Sequence, residues 1–268
     1  MRLVALLSLA LCLVPVHAPA QGTVQLDRRS ETRGWEAVGR IDTPSGFCTG
    51  TLIASDTVLT AAHCVYDGAG ARYAPERIVF RAGYTNGRAV AERRVRRIAV
   101  PSAYSQSASP YIDSANMPYD VALLRLDRPI LSAIADPFRI HAEPIRGEAV
   151  SLLSYGRGRA EALTREARCA VTGRYSGGIV GFDCDATFGS SGAPVFVRYG
   201  TRFRIASIVS GGREEDGKKT TYGMELPAIV AALKTELRNA GSRPVVSAGA
   251  RRIQVGERGS TGARFVKP

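Results

Sequence analysis

The chain has 268 residues, of which 45% are hydrophobic and 22% are charged, and it carries a formal net charge of +12. This composition supplies enough apolar side chains for a folded core and excludes an intrinsically disordered chain, while the length suits one or two domains. The 28 glycines and 14 prolines favour a fold rich in loops and strands.

Residues 1–20 have the pattern of a secretory signal peptide. Arg2 precedes an apolar run over residues 3–14, and the small residues at 18–20 (Ala-Pro-Ala) form a cleavage site. The apolar run is too short to span a bilayer, and no later segment reaches the roughly 20 apolar residues that a transmembrane helix needs. We therefore expect a secreted or periplasmic protein with no transmembrane segment.

The region after the signal peptide predicts short strands. Residues 21–34 are polar and aperiodic, which indicates an N-terminal arm or a short propeptide. Short apolar runs between turn signals then recur, a pattern typical of an all-β barrel or sandwich. In the first half of the chain these runs cover residues 37–38, 51–53, 57–60, 77–80, 95–100 and 121–126.

Proline and glycine residues mark a linker over residues 127–147, after which the strand pattern restarts. One helix is predicted over residues 226–237, because Pro227 occupies a first-turn position and the apolar residues that follow have helical spacing. This helix is expected to end near Gly241. The predicted strands of the second half cover residues 149–153, the segment around 169–184, and residues 193–198 and 203–210.

The positive charge is concentrated towards the C-terminus. Residues 243–268 hold six basic residues against one acidic residue, a net charge of +5. We therefore expect residues 241–268 to form a mobile basic tail that attracts anionic surfaces. Nucleic acid is not an expected partner, because the chain has no recognition motif and carries an export signal.

Removal of the signal peptide leaves four cysteines, and an even number in an oxidising compartment indicates two disulfides. The segment from Cys169 to Cys184 reads as a β-hairpin with Ser176-Gly177 as a two-residue loop, which places the two cysteines opposite each other. Opposed residues of an antiparallel pair lie at a distance that a disulfide can bridge. Cys48 and Cys64 flank a second strand–turn–strand unit, so these two are expected to form the other disulfide.

Zinc is the alternative role for Cys48, His63 and Cys64. No fourth ligand lies at a usual spacing and export favours oxidation, so we expect the disulfide instead. No cluster in the sequence predicts a metal or an organic cofactor, and none is expected.

The sequence contains the parts of a serine nucleophile site. Such a site needs a base within hydrogen-bond reach, a carboxylate to hold the base, and backbone N–H groups aimed at the developing oxyanion. Ser191 lies among small residues in the segment 188–194 (FGSSGAP), where the backbone can turn tightly. The amides of Gly189 and Ser191 are the expected oxyanion donors.

Four sequence blocks, in order, resemble those of the chymotrypsin/trypsin-like serine peptidases, in the bacterial glutamyl-endopeptidase-like (V8-like) branch. Residues 48–64 resemble the histidine block (CTGTLI through LTAAHC), and residues 119–126 (YDVALLRL) resemble the aspartate strand. Residues 189–194 (GSSGAP) resemble the nucleophile loop, and residues 208–212 (IVSGG) resemble the strand that lines the primary pocket. The match extends over roughly residues 35–237.

This resemblance implies an all-β fold of two six-stranded antiparallel β-barrels with a C-terminal helix. The first barrel would cover residues 35–126, the second barrel and the helix would cover residues 148–240, and the catalytic site would lie between the barrels. It also implies a serine endopeptidase that acts through an acyl-enzyme. Its catalytic residues would be Ser191 as nucleophile, His63 as general base and then acid, and Asp120 as the group that orients the imidazole.

Ser190 departs from the pattern of the family's animal members. Those members carry an aspartate before the nucleophile, which pairs with an N-terminal ammonium freed by zymogen cleavage. A serine offers no charge for this pair, so we expect the oxyanion loop to form without it. Trimming of the N-terminal arm at Arg29 or Arg33 is compatible with this expectation.

The resemblance places Asp185, Ser210, Gly212 and Thr220 in the substrate pocket. Asp185 lies six residues before Ser191, where a trypsin has the carboxylate that binds Arg or Lys, so a basic residue on the acyl side of the scissile bond (P1) is one expectation. However, Thr220 stands where trypsins have glycine, and the Asp185 carboxylate could instead bind backbone amides. Small and apolar P1 residues therefore stay open.

A second class of function is also consistent with the sequence. The alternative is a non-catalytic cationic binding protein on the same fold, which would hold anionic polymers through its basic surface. The intact set of His63, Asp120 and Ser191 favours the peptidase. Its expected partners are protein or peptide substrates, and we expect a monomer.

Overall fold

The computed structural model describes residues 22–106, 113–142 and 146–239. The predicted signal peptide and basic tail lie outside the described residues. Within these ranges the chain forms fifteen strands and a single α-helix. The expectation of an all-β fold with a C-terminal helix is therefore confirmed, whereas the exact domain boundaries stay a prediction.

The first unit is a closed six-stranded barrel with the strand order β2-β3-β4-β7-β6-β5. Alternation of apolar and polar residues along these strands directs Ile41, Leu52, Val58, Phe80 and Leu124 into one buried core. The strands are β2 (Val38–Thr43), β3 (Gly46–Ala54), β4 (Thr57–Thr60), β5 (Val79–Ala82), β6 (Ala91–Ala99) and β7 (Ala122–Leu126).

The second unit is a nine-stranded sheet, which contains three strands more than the six expected. The added strands are two short ones, β1 (Val24–Gln25) and β8 (Arg139–Ile140), and an edge strand, β14 (Gly211–Glu215). The other six are β9 (Ala149–Ser154), β10 (Thr164–Tyr175), β11 (Ile179–Phe182), β12 (Pro194–Tyr199), β13 (Arg202–Ile208) and β15 (Lys218–Met224).

The N-terminal arm is packed onto this second unit. Strand β1 pairs with β10, and the Leu26 amide donates to the Leu163 carbonyl over 2.7 Å. The Leu26 side chain is buried, and Trp35 stacks on Phe138 with ring centroids 5.8 Å apart. The polar composition of residues 21–34 did not predict this strand, because a two-residue strand has no periodicity to detect.

The hairpin between Cys169 and Cys184 differs from its predicted register at the turn. The loop has three residues, Ser176–Gly178, because Gly177 and Gly178 both adopt positive φ angles, 75° and 80°. The pairing near the loop is therefore shifted by one residue, with Tyr175 opposite Ile179. A bulge between Val171 and Gly173 restores the predicted register, so the two cysteines still meet.

The helix α1 (Pro227–Asn239) packs against strands β6 and β7 of the first barrel. Its buried residues Val230, Leu233 and Leu237 follow helical spacing, and they share a core with residues of both units, such as Leu123 and Phe196. In the part of the chain that the structure describes, no helix is long and apolar enough to cross a membrane.

Candidate active site

His63 and Asp120 are brought together at the ends of two adjacent strands of the first barrel. His63 lies in the turn after β4, and Asp120 lies just before β7, the strand that pairs with β4. The Asp120 Oδ2 atom lies 2.9 Å from His63 Nδ1, and Asp120 Oδ1 accepts a hydrogen bond from the His63 amide at 2.9 Å. The carboxylate therefore fixes both the position and the tautomer of the imidazole.

Ser210 provides a further hydrogen bond to the Asp120 carboxylate. Its hydroxyl donates to Asp120 Oδ2 over 2.6 Å, and the Asp120 side chain is fully buried. A buried charge needs partners of this kind, because an unpaired carboxylate away from water is very costly. The place of Ser210 in the substrate pocket stays a prediction, and the sequence did not predict its hydrogen bond to the aspartate.

The electrostatics of the pair favour a protonated imidazole. Burial acts to lower the pKa of His63, but the Coulombic attraction of Asp120 and the hydrogen bond between them outweigh it. The pKa of His63 is therefore raised above its ordinary value of 6.5. A histidine with this partner can receive a proton and be stabilised as the imidazolium.

A disulfide closes the turn that carries His63. Cys48 on β3 is bonded to Cys64, the residue after the histidine, and Cys169 is bonded to Cys184. In this form the sulfurs of Cys48 and Cys64 are not thiolates, so they do not offer the ligands that zinc binding requires.

The loop that carries Ser191 fits tightly against the histidine segment. The Thr49 amide donates to the Ser191 carbonyl over 2.9 Å. Gly192 has a φ of 75°, and a Cβ at this position would overlap Thr60 Oγ1 and the Thr49 carbonyl. Only glycine fits there, and the close approach puts Ser191 next to the segment that leads into His63.

The four backbone amides of residues 189–192 form two groups by their hydrogen bonds. The Ser190 amide donates to the Thr187 carbonyl over 2.9 Å, and the Gly192 amide donates to the Val209 carbonyl over 2.7 Å. The amides of Gly189 and Ser191 have no acceptor among the described residues. These two are the predicted oxyanion donors.

The Ser191 hydroxyl makes no hydrogen bond to any residue within the described ranges. Hydrogen bonds between a nucleophile and its base are often long without substrate and tighten on binding, so the predicted roles are compatible with this geometry. The assignment of His63, Asp120 and Ser191 as a triad stays a prediction that the arrangement supports.

Ser190, where animal relatives carry an aspartate, is fully buried in a hydroxyl network. Its Oγ atom lies 3.1 Å from Ser154 Oγ and accepts a hydrogen bond from the Thr187 amide at 3.2 Å. The Ser190 hydroxyl is thus hydrogen-bonded by neutral groups, at the position where the animal relatives hold a charge. The sequence did not predict the contributions of Ser154 and Thr187.

The remaining residues predicted for the pocket are Gly212, Thr220 and Asp185. Gly212 and Thr220 belong to the β14–β15 hairpin, where Thr220 is opposite Arg213. The Asp185 side chain is 42% exposed, and its Oδ1 atom lies 2.8 Å from Lys219 Nζ. Its Oδ2 atom lies 4.0 Å from the Arg159 guanidinium. The carboxylate expected to bind a basic substrate therefore already faces two cations.

Comparison with known proteins agrees with this fold. The sequence profile of the trypsin-like peptidase domain matches residues 48–203, more than half of the chain. Serine protease 23 of Rattus norvegicus is 28% identical over 217 residues, which cover 70% of this chain and 54% of that protein. The Bos taurus protein of the same name is 28% identical over 216 residues, with coverages of 70% and 55%. The chain spans about half the length of these curated relatives.

Solved structures show the same architecture. A Glu endopeptidase in complex with MPD has a TM-score of 0.65 at 20% identity, and the alignment covers 81% of this chain and 97% of that chain. The protease Anisep from Arthrobacter nicotinovorans has a TM-score of 0.61 at 22% identity, with coverages of 75% and 94%. The thermostable serine protease AL20 has a TM-score of 0.61 at 20% identity, with coverages of 76% and 97%. By its sequence and its fold, this chain belongs to the family of trypsin-like serine peptidases.

Proposed function

We propose that this protein is a serine endopeptidase that hydrolyses peptide bonds through an acyl-enzyme. The observation that carries the proposal is the buried Asp120 carboxylate, which accepts hydrogen bonds from both the Nδ1 atom and the amide of His63. The amides of Gly189 and of Ser191 itself support it, since neither has an acceptor within the described ranges.

The proposed reaction uses each group in turn. The Ser191 Oγ atom attacks the carbonyl carbon of the scissile bond while His63 Nε2 takes the hydroxyl proton. The amides of Gly189 and Ser191 stabilise the negative oxygen that forms, and Asp120 stabilises the imidazolium. His63 then gives its proton to the leaving amine, and water attacks the acyl-enzyme in the same way to release the acid and restore Ser191.

Export to the periplasm or outside the cell is part of the proposal. The pattern of residues 1–20 supports it, as do the two disulfides, because disulfides persist in oxidising compartments. A preference for a basic P1 residue is not part of it, because both Asp185 oxygens face cations of the protein itself.

The test is pre-steady-state hydrolysis of an activated ester by the full chain without its signal peptide. We expect a burst of one leaving group per active enzyme molecule, because acylation precedes slower deacylation. Ser191→Ala should abolish the burst, whereas Ser176→Ala, at an exposed serine of the hairpin loop, should retain it. A folded protein without a burst and without peptide hydrolysis would favour the cationic binding protein.

A further inference from the structure

We propose that Lys219 and Arg159 are specificity-determining residues that neutralise Asp185 and select against basic P1 residues. This inference rests on the proposed peptidase function, and it goes beyond it by defining the class of peptide bond that the site disfavours. Substrates would then carry an uncharged or acidic P1 side chain.

The first argument is the geometry of the two carboxylate oxygens. Recognition of an arginine by a carboxylate is strongest when both oxygens accept parallel hydrogen bonds from one guanidinium. Here Oδ1 is bound to Lys219 at 2.8 Å, and Oδ2 faces Arg159 at 4.0 Å. A basic P1 side chain would have to displace at least one internal cation before it gained a partner.

The second argument is the position of Lys219, which strand β15 holds in place. The buried Thr221 hydroxyl donates to the Cys184 carbonyl over 2.6 Å and so ties the strand to the residue before Asp185. Lys219 lies two residues before Thr221 and projects from the same face of the strand. The ammonium is therefore directed at Asp185 by the backbone and not only by charge attraction.

The third argument is the local charge. The hydrogen bond and the Coulombic attraction of Asp185, with a smaller contribution from Glu214 opposite Lys219 on strand β14, raise the pKa of Lys219, so its ammonium stays charged beside the carboxylate. Glu166 lies nearby and accepts a hydrogen bond from the Asp185 amide at 2.7 Å. Burial is the main cause of the raised pKa of Glu166.

The amino-acid composition of the chain is consistent with selection against basic P1 residues. It contains 36 Lys and Arg residues, among them the exposed Arg94 and Arg96 on strand β6. A peptidase that preferred arginine would encounter many susceptible bonds in its own molecules. A pocket that rejects cations reduces this self-cleavage.

The experiment measures kcat/KM for two peptides that differ only by Arg or Ala at P1. We expect the wild-type chain to cleave the Arg peptide no faster than the Ala peptide. Lys219→Met should raise the Arg-to-Ala ratio about tenfold, equivalent to about 1.4 kcal/mol, because one oxygen of Asp185 becomes available. The double variant with Arg159→Met should raise it further.

Lys218→Met is the matched control. Lys218 is an exposed neighbour on the same strand and lies opposite Glu215, so this variant should leave the ratio unchanged. A wild-type chain that prefers the Arg peptide tenfold, or a Lys219→Met variant with the wild-type ratio, would overturn the inference. In both cases a normal ester burst would show that the peptidase proposal itself still stands. A chain with neither burst nor peptide hydrolysis would overturn both.

Discussion

Two aspartates of this protein, Asp120 and Asp185, have the same side chain but lie in opposite environments. Asp120 is fully buried, and its oxygens accept hydrogen bonds from His63 and Ser210. The Asp185 side chain is 42% exposed, and its oxygens face the cations Lys219 and Arg159. The negative charge of Asp120 remains available to stabilise an imidazolium, whereas that of Asp185 is already balanced by Lys219 and Arg159.

Burial is the physical source of this difference. Charge interactions are much stronger in a low-dielectric interior than at the surface, where solvent screens them. Asp120 therefore acts strongly on His63 although it carries the same charge as Asp185.

Neutralising Asp120 should reduce activity far more than neutralising Asp185. Asp120→Asn should lower kcat/KM by about 10⁴-fold, because the amide favours the wrong tautomer of His63. Asp185→Asn should change the hydrolysis of an Ala peptide only about threefold or less, since an exposed ion pair contributes little. Steady-state kinetics on the two variants checks this. Equal losses would mean that the two carboxylates do not differ in role.

A smaller loss is expected when Asp120 keeps its charge but loses one partner. Ser210→Ala removes the hydroxyl that donates to Asp120 Oδ2, and a hydrogen bond to a buried charge contributes about 1.5–3 kcal/mol. We expect kcat to fall about tenfold with little change in KM, because Ser210 positions the aspartate. Ser176→Ala is the control, and a loss confined to KM would instead indicate a role in substrate binding.

The pH dependence of kcat/KM depends on the same buried pair, His63 and Asp120. Only neutral His63 can accept a proton from Ser191, so kcat/KM should rise with pH as the imidazolium deprotonates. Because Asp120 raises the pKa of His63, the midpoint of this rise should lie above 6.5 in the wild-type chain. Asp185→Asn should leave the midpoint in place. A midpoint below 6.5 would contradict the strong interaction between Asp120 and His63.

The N-terminus should have the smallest effect on activity. The buried Ser190 network leaves no charge for an N-terminal ammonium, so a chain that begins at Gly34 should be no more active than one that begins at Gln21. The shorter chain should be less stable by about 2 kcal/mol, because it loses the buried Leu26. Activity assays and thermal unfolding of the two chains measure both effects. A large gain in activity after trimming would contradict the internal network.

Sequence reasoning identified the buried half of the site more fully than the exposed half. The blocks around His63, Asp120 and Ser191 lie in or beside strands with clear apolar patterns, and the structure brings them to adjoining segments. The β14–β15 hairpin was missed because its glycines and charged residues have low strand propensity. Its Asp216-Gly217 turn, with positive φ at both residues, was the available signal.

The contacts of Asp185 follow from that missed hairpin. Lys219 reaches the carboxylate only once β15 is paired, and Arg159 reaches it from a different loop, so neither contact has a local sequence pattern. The register of the 169–184 hairpin shows the same limit, since a three-residue loop and a bulge offset each other. The contacts of Asp185 and the register of the hairpin both depend on backbone geometry, which the local sequence pattern does not specify.

Activation of Ser191 by His63 and Asp120 can be measured through labelling by an active-site serine phosphonate. We expect one phosphonate per molecule of wild-type chain, located on Ser191 by peptide mapping. We also expect labelling of Asp185→Asn at a near wild-type rate and very slow labelling of Asp120→Asn. Absence of labelling in a folded wild-type chain, or labelling at another residue, would mean that Ser191 is not the activated nucleophile.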